Sequence, residues 1–317
     1  MRSRLARMAW GMGLLMACLV GSGAQAAEFV TVAAGGTAGV YYPLGGALAE
    51  IFNQHVPGVN ASVQATGASV ANVNLLVQRQ AELALIQNDI AFYAANGTEM
   101  FQGRKVDSLR GIATLYPEVI QLVASRASGI RSVDDLRGKR VAVGDIGSGT
   151  EANARQILEA AGLTYRDIAA RYLSFAEAAA NLRDGHIDAA FVTAGIPTAA
   201  IQDIAVQRDV VIVPIGGDLA QRLAQRYPFY TQVTIPAGTY RGQEEAVVTV
   251  AVKAMLVART DLSEELVYQL TRAMFGNLAR LAQAHARGAD VSVETARDGM
   301  SIPLHPGAER YYREVAP

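Results

Sequence analysis

Cysteine and tryptophan are almost missing from this chain. One of each occurs in 317 residues, Cys18 and Trp10. A disulfide framework and a cysteine-rich metal site are therefore excluded. Histidine is sparse as well. His55, His186, His285 and His305 are scattered, with no i,i+4 pair and no metal-ligand spacing. No G-x-S-x-G elbow occurs, and Ser148 has no histidine near it in sequence. Basic and acidic residues nearly balance, 28 against 29, and no basic stripe interleaves with aromatics. That argues against nucleic acid as a partner. No catalytic residue, metal ligand or cofactor is expected, and the chain does not read as an enzyme.

What is present begins with an export signal. Arg2, Arg4 and Arg7 precede the apolar run MAWGMGLLMACLV, and Ala24-Gln25-Ala26 forms an A-x-A cleavage site. Residues 1–26 are expected to be removed, and the run is too short to span a membrane. The alternative is a lipoprotein anchor at Cys18. Met16 fits that motif poorly, and apolar Leu19-Val20 would follow the modified cysteine. Loss of the three arginines leaves 25 basic against 29 acidic residues. No later run is long and apolar enough to cross a bilayer.

The remainder alternates strands, glycine loops and helices. EFVTVAAGG reads as a strand. PLGGALAEIFNQH reads as a helix with Leu44, Leu48, Ile51 and Phe52 on one face. NASVQAT is a strand, and GASVANVNLLVQRQ a helix presenting Val70, Val73 and Val77. AELALIQND is a buried strand before a helix that Gly97 ends. LRGIATLYPEVIQLVAS is β-rich, with an interruption at Pro117. A second unit repeats the scheme. KRVAVGD is a strand, and GSGTEANARQILEAAG a loop and a helix with Ile157, Leu158 and Ala161 inward. Ser148 with Glu151, and Ser174 with Glu177, form S-x-x-E capping boxes. HIDAAFVTAG, VVIVPIGG and AVVTVAVKAMLVA are strands, the last a return crossover. SEELVYQLTRAMFGNLARLAQAHA is the longest helix, and HPGA at 305–308 is a turn. The alternation predicts α/β with mixed, mostly parallel sheets. The echo between the units predicts two lobes, with ligand loops at strand C-termini.

Six stretches can hold a small ligand, and most have a plainer reading. GGTAGVYYPLGG brings glycines, Thr37 and Tyr41 to a helix start, where unpaired N–H groups attract anions. A tight turn packing helix on sheet explains it equally well. TGASVAN is a second such start, where Ser69 is either a contact or an N-cap. GSGTE lacks the P-loop lysine and suits a carboxylate held in a backbone nest. IQND ends a buried strand. Gln87 there can donate and accept, while Asp89 either pairs with an ammonium or caps the next helix. TAGIP ends the matching strand. Glu118, in LYPE, is either a cation partner or a hinge or surface carboxylate.

Together the stretches GGTAGVYYPLGGALA, TGASVANVNLL, IQNDIAFYA, LRGIATLYPE, SGIRSVDDLRGKRVAVGDIGSGTEANA, DGHIDAAFVTAGIPTAAI, YPFY, IPAGTY and PLHPGAERYY resemble, in order, the TAXI-type solute receptors of TRAP (tripartite ATP-independent periplasmic) transporters. The resemblance implies a two-lobe periplasmic-binding-protein-like fold with the ligand cleft between the lobes. Lobe I would hold residues 27–116 plus 246–317, and lobe II residues 117–245. It implies a monomeric periplasmic receptor that delivers a small carboxylate, such as glutamate or a related amino acid, to TRAP membrane subunits. Alternatives are a 2-oxoglutarate or dicarboxylate receptor, or a sensor for a signalling kinase. The implied contacts are Gly36, Thr37, Gly39 and Tyr41; Gly67, Ala68 and Ser69; Gln87, Asp89 and Glu118; Gly147, Ser148, Gly149 and Thr150; and Ala194, Gly195 and Pro197. Two departures stand out. Ala71 replaces a glutamate frequent in the family, and no candidate loop carries the arginine that clamps carboxylate in the other branch of TRAP receptors.

Overall fold

The computed structural model describes residues 27–315. The export signal, its cleavage site and Cys18 lie outside the described residues. Strand β1 (Glu28–Ala33) leads into α1 (Tyr41–His55), whose Leu44, Leu48, Ile51 and Phe52 are buried as their spacing predicts. β2 (Val59–Gln64), α2 (Ser69–Val77), β3 (Leu83–Gln87) and α3 (Asn88–Asn96) follow. Gly97 ends α3 in the left-handed region, where glycine carries no side-chain penalty. The buried face of α2 is not the expected valine stripe. Ser69, Asn72, Val73 and Leu76 are buried, while Val77 is 49% exposed. Asn72 turns the helix. Its amide donates to the carbonyls of Ala34 and Leu85, tying α2 to the ends of β1 and β3.

β4 (Leu109–Ser125) is continuous, and Pro117 does not interrupt it. Pro117 lies opposite Lys253, and a register shift follows at once between Lys253 and Met255. Such an irregularity accommodates the missing N–H donor. β5 (Arg140–Gly144), α4 (Gly149–Ala160), β6 (Ala169–Tyr172), α5 (Phe175–Asp184) and β7 (Ala189–Ala194) build the second unit. α6 (Ala199–Gln207), β8 (Val210–Val213), α7 (Gly217–Arg226) and β9 (Thr231–Ile235) extend it. β10 (Val247–Arg259) returns, and α8 (Glu264–Gly276), α9 (Leu278–Ala284) and α10 (Pro306–Val315) close the fold.

The sequence does not announce β6 and β9. Both are short edge strands with mostly exposed side chains, so neither shows the hydrophobic alternation of a half-buried strand. The long C-terminal helix is in fact two. Asn277, at φ −134° and ψ 34°, leaves the helical region between α8 and α9. The expected turn at 305–308 is the start of α10, with Pro306 as its first residue, where its missing N–H costs nothing.

The sheet runs β2-β1-β3-β10-β4-β7-β5-β6, with β8 also on β4 and β9 on β10. β1 is parallel to β2 and β3, and β5 is parallel to β6 and β7. β4 and β10 are antiparallel to every strand they touch. The parallel character therefore belongs to each lobe's own strands, and the crossovers supply the antiparallel part. β4 pairs with β10 up to Val119 and with β7 from Val119 onward, so its partner changes beside Glu118. Alternate residues of β3 serve two cores. Leu83 and Leu85 face one cluster, Ala84 and Ile86 the other. Burial on both faces explains why this strand reads as a continuous apolar run. Among the described residues no helix is long and apolar enough to cross a membrane.

α10 lies so close on α8 that a Cβ at Gly307 would strike the Glu264 carbonyl and the Tyr268 nitrogen. Backbone cannot rotate aside. Gly307→Ala is expected to destabilise the protein by about 1–3 kcal/mol, read from urea unfolding. An unchanged midpoint would show that α10 can shift freely.

Candidate functional site

Four helices begin at one place. The starts of α1, α2, α4 and α5 converge on a cavity of about 70 Å³ between the lobes. That is room for several water-sized groups, suited to a compact organic ion and too small for a nucleotide. The lining combines Gly35, Gly36, Gly39, Val40 and Tyr41; Thr66, Gly67, Ala68 and Ser69; Gln87 and Glu118; Asp145, Ser148, Gly149 and Thr150; Ser174 and Phe175; and Thr193 and Ala194. No lysine, arginine or histidine is among them.

The donors come from backbone. Ser148 is the N-cap of α4, and its Oγ accepts from the Glu151 N–H at 3.1 Å. The capping box is only half made, because the Glu151 carboxylate takes the Tyr165 hydroxyl instead. The N–H groups of Gly149 and Thr150 have no acceptor among the described residues and belong to the cavity wall. Helix N-terminal groups of this kind favour an anion. At α2 two such donors are already taken. The Gly147 carbonyl accepts from Val70 and Ala71, both at 3.0 Å. This backbone latch ties the loop before α4 to the start of α2. Ser174 makes the full capping box with Glu177, and Phe175 packs over Gly39.

The acceptors come from side chains. Glu118 is 2% exposed, and its Oε2 accepts from the Tyr41 hydroxyl at 2.6 Å. Burial pushes its carboxyl up to about 8, against the opposing pull of that hydrogen bond, with the Asp89 charge adding to the rise. Burial likewise drives the Tyr41 phenol well above its ordinary range, next to the Glu118 charge. Gln87 Oε1 and Thr193 Oγ1 are buried without a partner. Buried polar atoms are normally paired, so two orphans on one cavity mark a place for a ligand.

Of the residues singled out from the sequence, Gly36, Gly39, Tyr41, Gly67, Ala68, Ser69, Gln87, Glu118, Ser148, Gly149, Thr150 and Ala194 are brought together here. Five are not. Thr37 is exposed at the tip of its loop. Gly147 turns its carbonyl to α2 rather than to the cavity. Gly195 lies under the side chain of Arg287, and Pro197 beyond it. Asp89 is fully buried behind the cavity, bonded to the Ile90 N–H at 2.8 Å and to Asn153 Nδ2 at 3.0 Å. It joins a polar cluster in which Asn153 also donates to Tyr230, Tyr230 to Gln156, and Gln156 to Tyr93. Asp89 lies in the first turn of α3, whose N-cap is Gln87 without a side-chain cap bond, and it is absent from the cavity lining. Missed were Gly35, Val40, Thr66, Asp145, Ser174, Phe175 and Thr193. Gly35, Val40, Thr66 and Thr193 lie within stretches already marked, and Asp145 adjoins one. Ser174 had shown itself only as a helix cap. Among the described residues no group of three potential metal ligands occurs.

Residues 32–315 match the sequence profile of the NMT1-like family. Three solved structures of similar shape show what the fold can carry. PhnD1 from Prochlorococcus marinus in complex with methylphosphonate has a TM-score of 0.55 at 13% identity, over 83% of this chain and 91% of that one. A candidate L-cystine ABC transporter protein from Listeria monocytogenes has 0.52 at 16%, over 84% and 98%. A binding-protein component of an ABC phosphonate transporter from Pseudomonas aeruginosa has 0.51 at 13%, over 84% and 80%. Identities this low carry the two-lobe α/β fold and nothing finer.

Two outcomes follow from the geometry. A Cβ at Gly149 would run into the Gln87 side chain. Gly149→Ala should cut ligand affinity at least tenfold while leaving thermal stability close to wild type, by calorimetry and melting. Asp89 and Glu118 are raised to about 7 and about 8, so the folded chain holds protons that the unfolded chain releases. Stability of the ligand-free protein should therefore fall as pH rises from 5 to 8. Asp89→Asn should remove about half of the slope of that fall below pH 7 in dye-monitored melts, leaving the share that belongs to Glu118. A flat wild-type profile would contradict the buried, neutral carboxyls.

Proposed function

The chain belongs to the NMT1-like family, and from that premise we propose that it is a periplasmic solute-binding receptor of the TAXI type. It captures a small amino acid carrying a carboxylate, such as glutamate, and delivers it unchanged to the membrane subunits of a TRAP transporter. The carrying observation is the pairing of opposite chemistries in one cavity. Free N–H groups of Gly149 and Thr150 suit a carboxylate, while Glu118, Gln87 Oε1 and Thr193 Oγ1 suit an ammonium group a few ångströms away. Backbone N–H groups stand where an arginine clamp would otherwise be needed. The ordered resemblance along the chain supports the TAXI assignment.

The receptor works as a monomer exported by the signal at 1–26. Its lobes are residues 27–116 plus 246–317, and residues 117–245. The boundary at Pro117 is supported by the change of partner along β4, from β10 to β7. Ligand binding shifts the population from open to closed forms. The latch between Gly147 and α2 belongs to the closed form, since it bonds a loop of one lobe to a helix of the other.

The test is a thermal-shift panel of amino acids, 2-oxo acids, dicarboxylates, sulfonates and phosphonates on the chain from Ala27. A ligand of the folded state stabilises it by about 2.7 kcal/mol at a hundredfold excess over its dissociation constant. Stabilisation by glutamate or a related amino acid, without metal, is expected. Stabilisation by 2-oxoglutarate alone would make this a keto-acid receptor. Stabilisation by sulfonates or phosphonates alone would overturn the carboxylate reading.

A further inference from the structure

Glu118 is the one deeply buried acid on the cavity wall, and it has no counter-charge. From α1 it meets only the neutral Tyr41 hydroxyl, 2.6 Å from Oε2. Its Oε1 has no partner among the described residues. From its own strand comes Tyr116, whose hydroxyl is also buried and unpaired. From α3 comes Asp89, an acid rather than a base, bonded to Ile90 and Asn153. From the loop before α4 comes Asp145, which caps Ile146. No nearby cation bonds to it. Lys253 on β10 donates to the Asp298 carbonyl at 2.9 Å, and Arg287 pairs with Asp290 at 2.8 Å through Nη1, its buried Nε being unpaired. An isolated carboxylate cannot be held in such surroundings, so the empty cavity contains the acid.

Resting on the amino-acid reading above, we propose that Glu118 is the ammonium receptor of the cleft and that each amino acid captured there expels one proton. In the empty site the group is a carboxylic acid. When an ammonium group arrives at Oε1, the acid gives up its proton to solvent and the carboxylate pairs with the ligand. One O–H bond breaks, one proton leaves, and the charge of the filled site is balanced by the ion pair. Tyr41 stays a phenol throughout and donates to Oε2. A 2-oxo acid brings no ammonium, so it binds with Glu118 still protonated and releases nothing. Binding would then tighten with rising pH for amino acids alone. The pH at which the empty site loses its proton, about 8, sets the upper end of that range.

Isothermal titration calorimetry with glutamate and with 2-oxoglutarate, in three buffers of different ionisation enthalpy, counts the protons. At pH 6.5 the wild-type chain should release close to one proton per glutamate, falling towards zero by pH 9. Glutamate affinity should rise nearly tenfold per pH unit between 6 and 7.5. Glu118→Gln should abolish the release, flatten the pH dependence and weaken glutamate at least tenfold, while sparing any binding of 2-oxoglutarate. Asp89→Asn should still release the proton, which excludes the acid behind the cavity as its source. Glutamate bound with no proton released, or release surviving in Glu118→Gln, would overturn the proposal and leave the receptor reading intact. Binding of 2-oxoglutarate alone would overturn it in the same way. Failure of every compound in the panel would bring down both.

Discussion

Every part of this protein hangs on the antiparallel ladder between β4 and β10. Each of these two strands changes partners along its length. β4 passes from β10 to β7, and β10 from β9 to β3. Each lobe's own strands are parallel and join the ladder from the side. A strand that crosses between lobes must carry its midpoint through the densest part of the molecule. Glu118 occupies that midpoint, which is why an acidic residue in an otherwise apolar strand ends up 2% exposed. Its altered proton affinity follows from topology before any ligand is considered.

The same ladder places the strand ends. In each lobe the strands next to the crossovers, β3 and β7, deliver Gln87 and Thr193 to the cavity from opposite sides. The glycine loops then bring helix starts over them. Backbone N–H groups at those starts are unsatisfied by the geometry of any helix. α2 satisfies two of them with the Gly147 carbonyl of the facing loop, and α4 leaves two open. One pair of donors holds the lobes together, and the other pair faces the ligand space. Open helix-start donors favour an anion without a cationic side chain, and the Gln87 side chain lies directly against Gly149.

Much of this was legible in the residues. The periodicities of α1 and α4, the buried run of β3 and the caps at Ser148 and Ser174 all depend on neighbours a few positions apart. The glycine loops marked the helix starts that meet at the cavity. Errors came where distant contacts overrule local pattern. Asn72 is polar yet buried, because it bonds carbonyls on two strands. Pro117 continues a strand, because the partner shifts register beside it. Edge strands β6 and β9 carry no alternation, because neither has a fully buried face to oppose a wet one.

Asp89 and Glu118 show the division most clearly. Each is an acid among apolar residues, Asp89 after AELALIQN and Glu118 within LRGIATLYPEVIQLVAS, and nothing local separates them. The sequence by itself determined the alternating α/β plan, the loops that open helices and the absence of any basic side chain in those loops, since all three are properties of short segments. Only the tertiary structure decided that Glu118 faces the cavity while Asp89 turns to Asn153 behind it. The reason is distance along the chain. Tyr41 meets Glu118 across 77 positions and Asn153 meets Asp89 across 64, and no local rule carries contacts of that range.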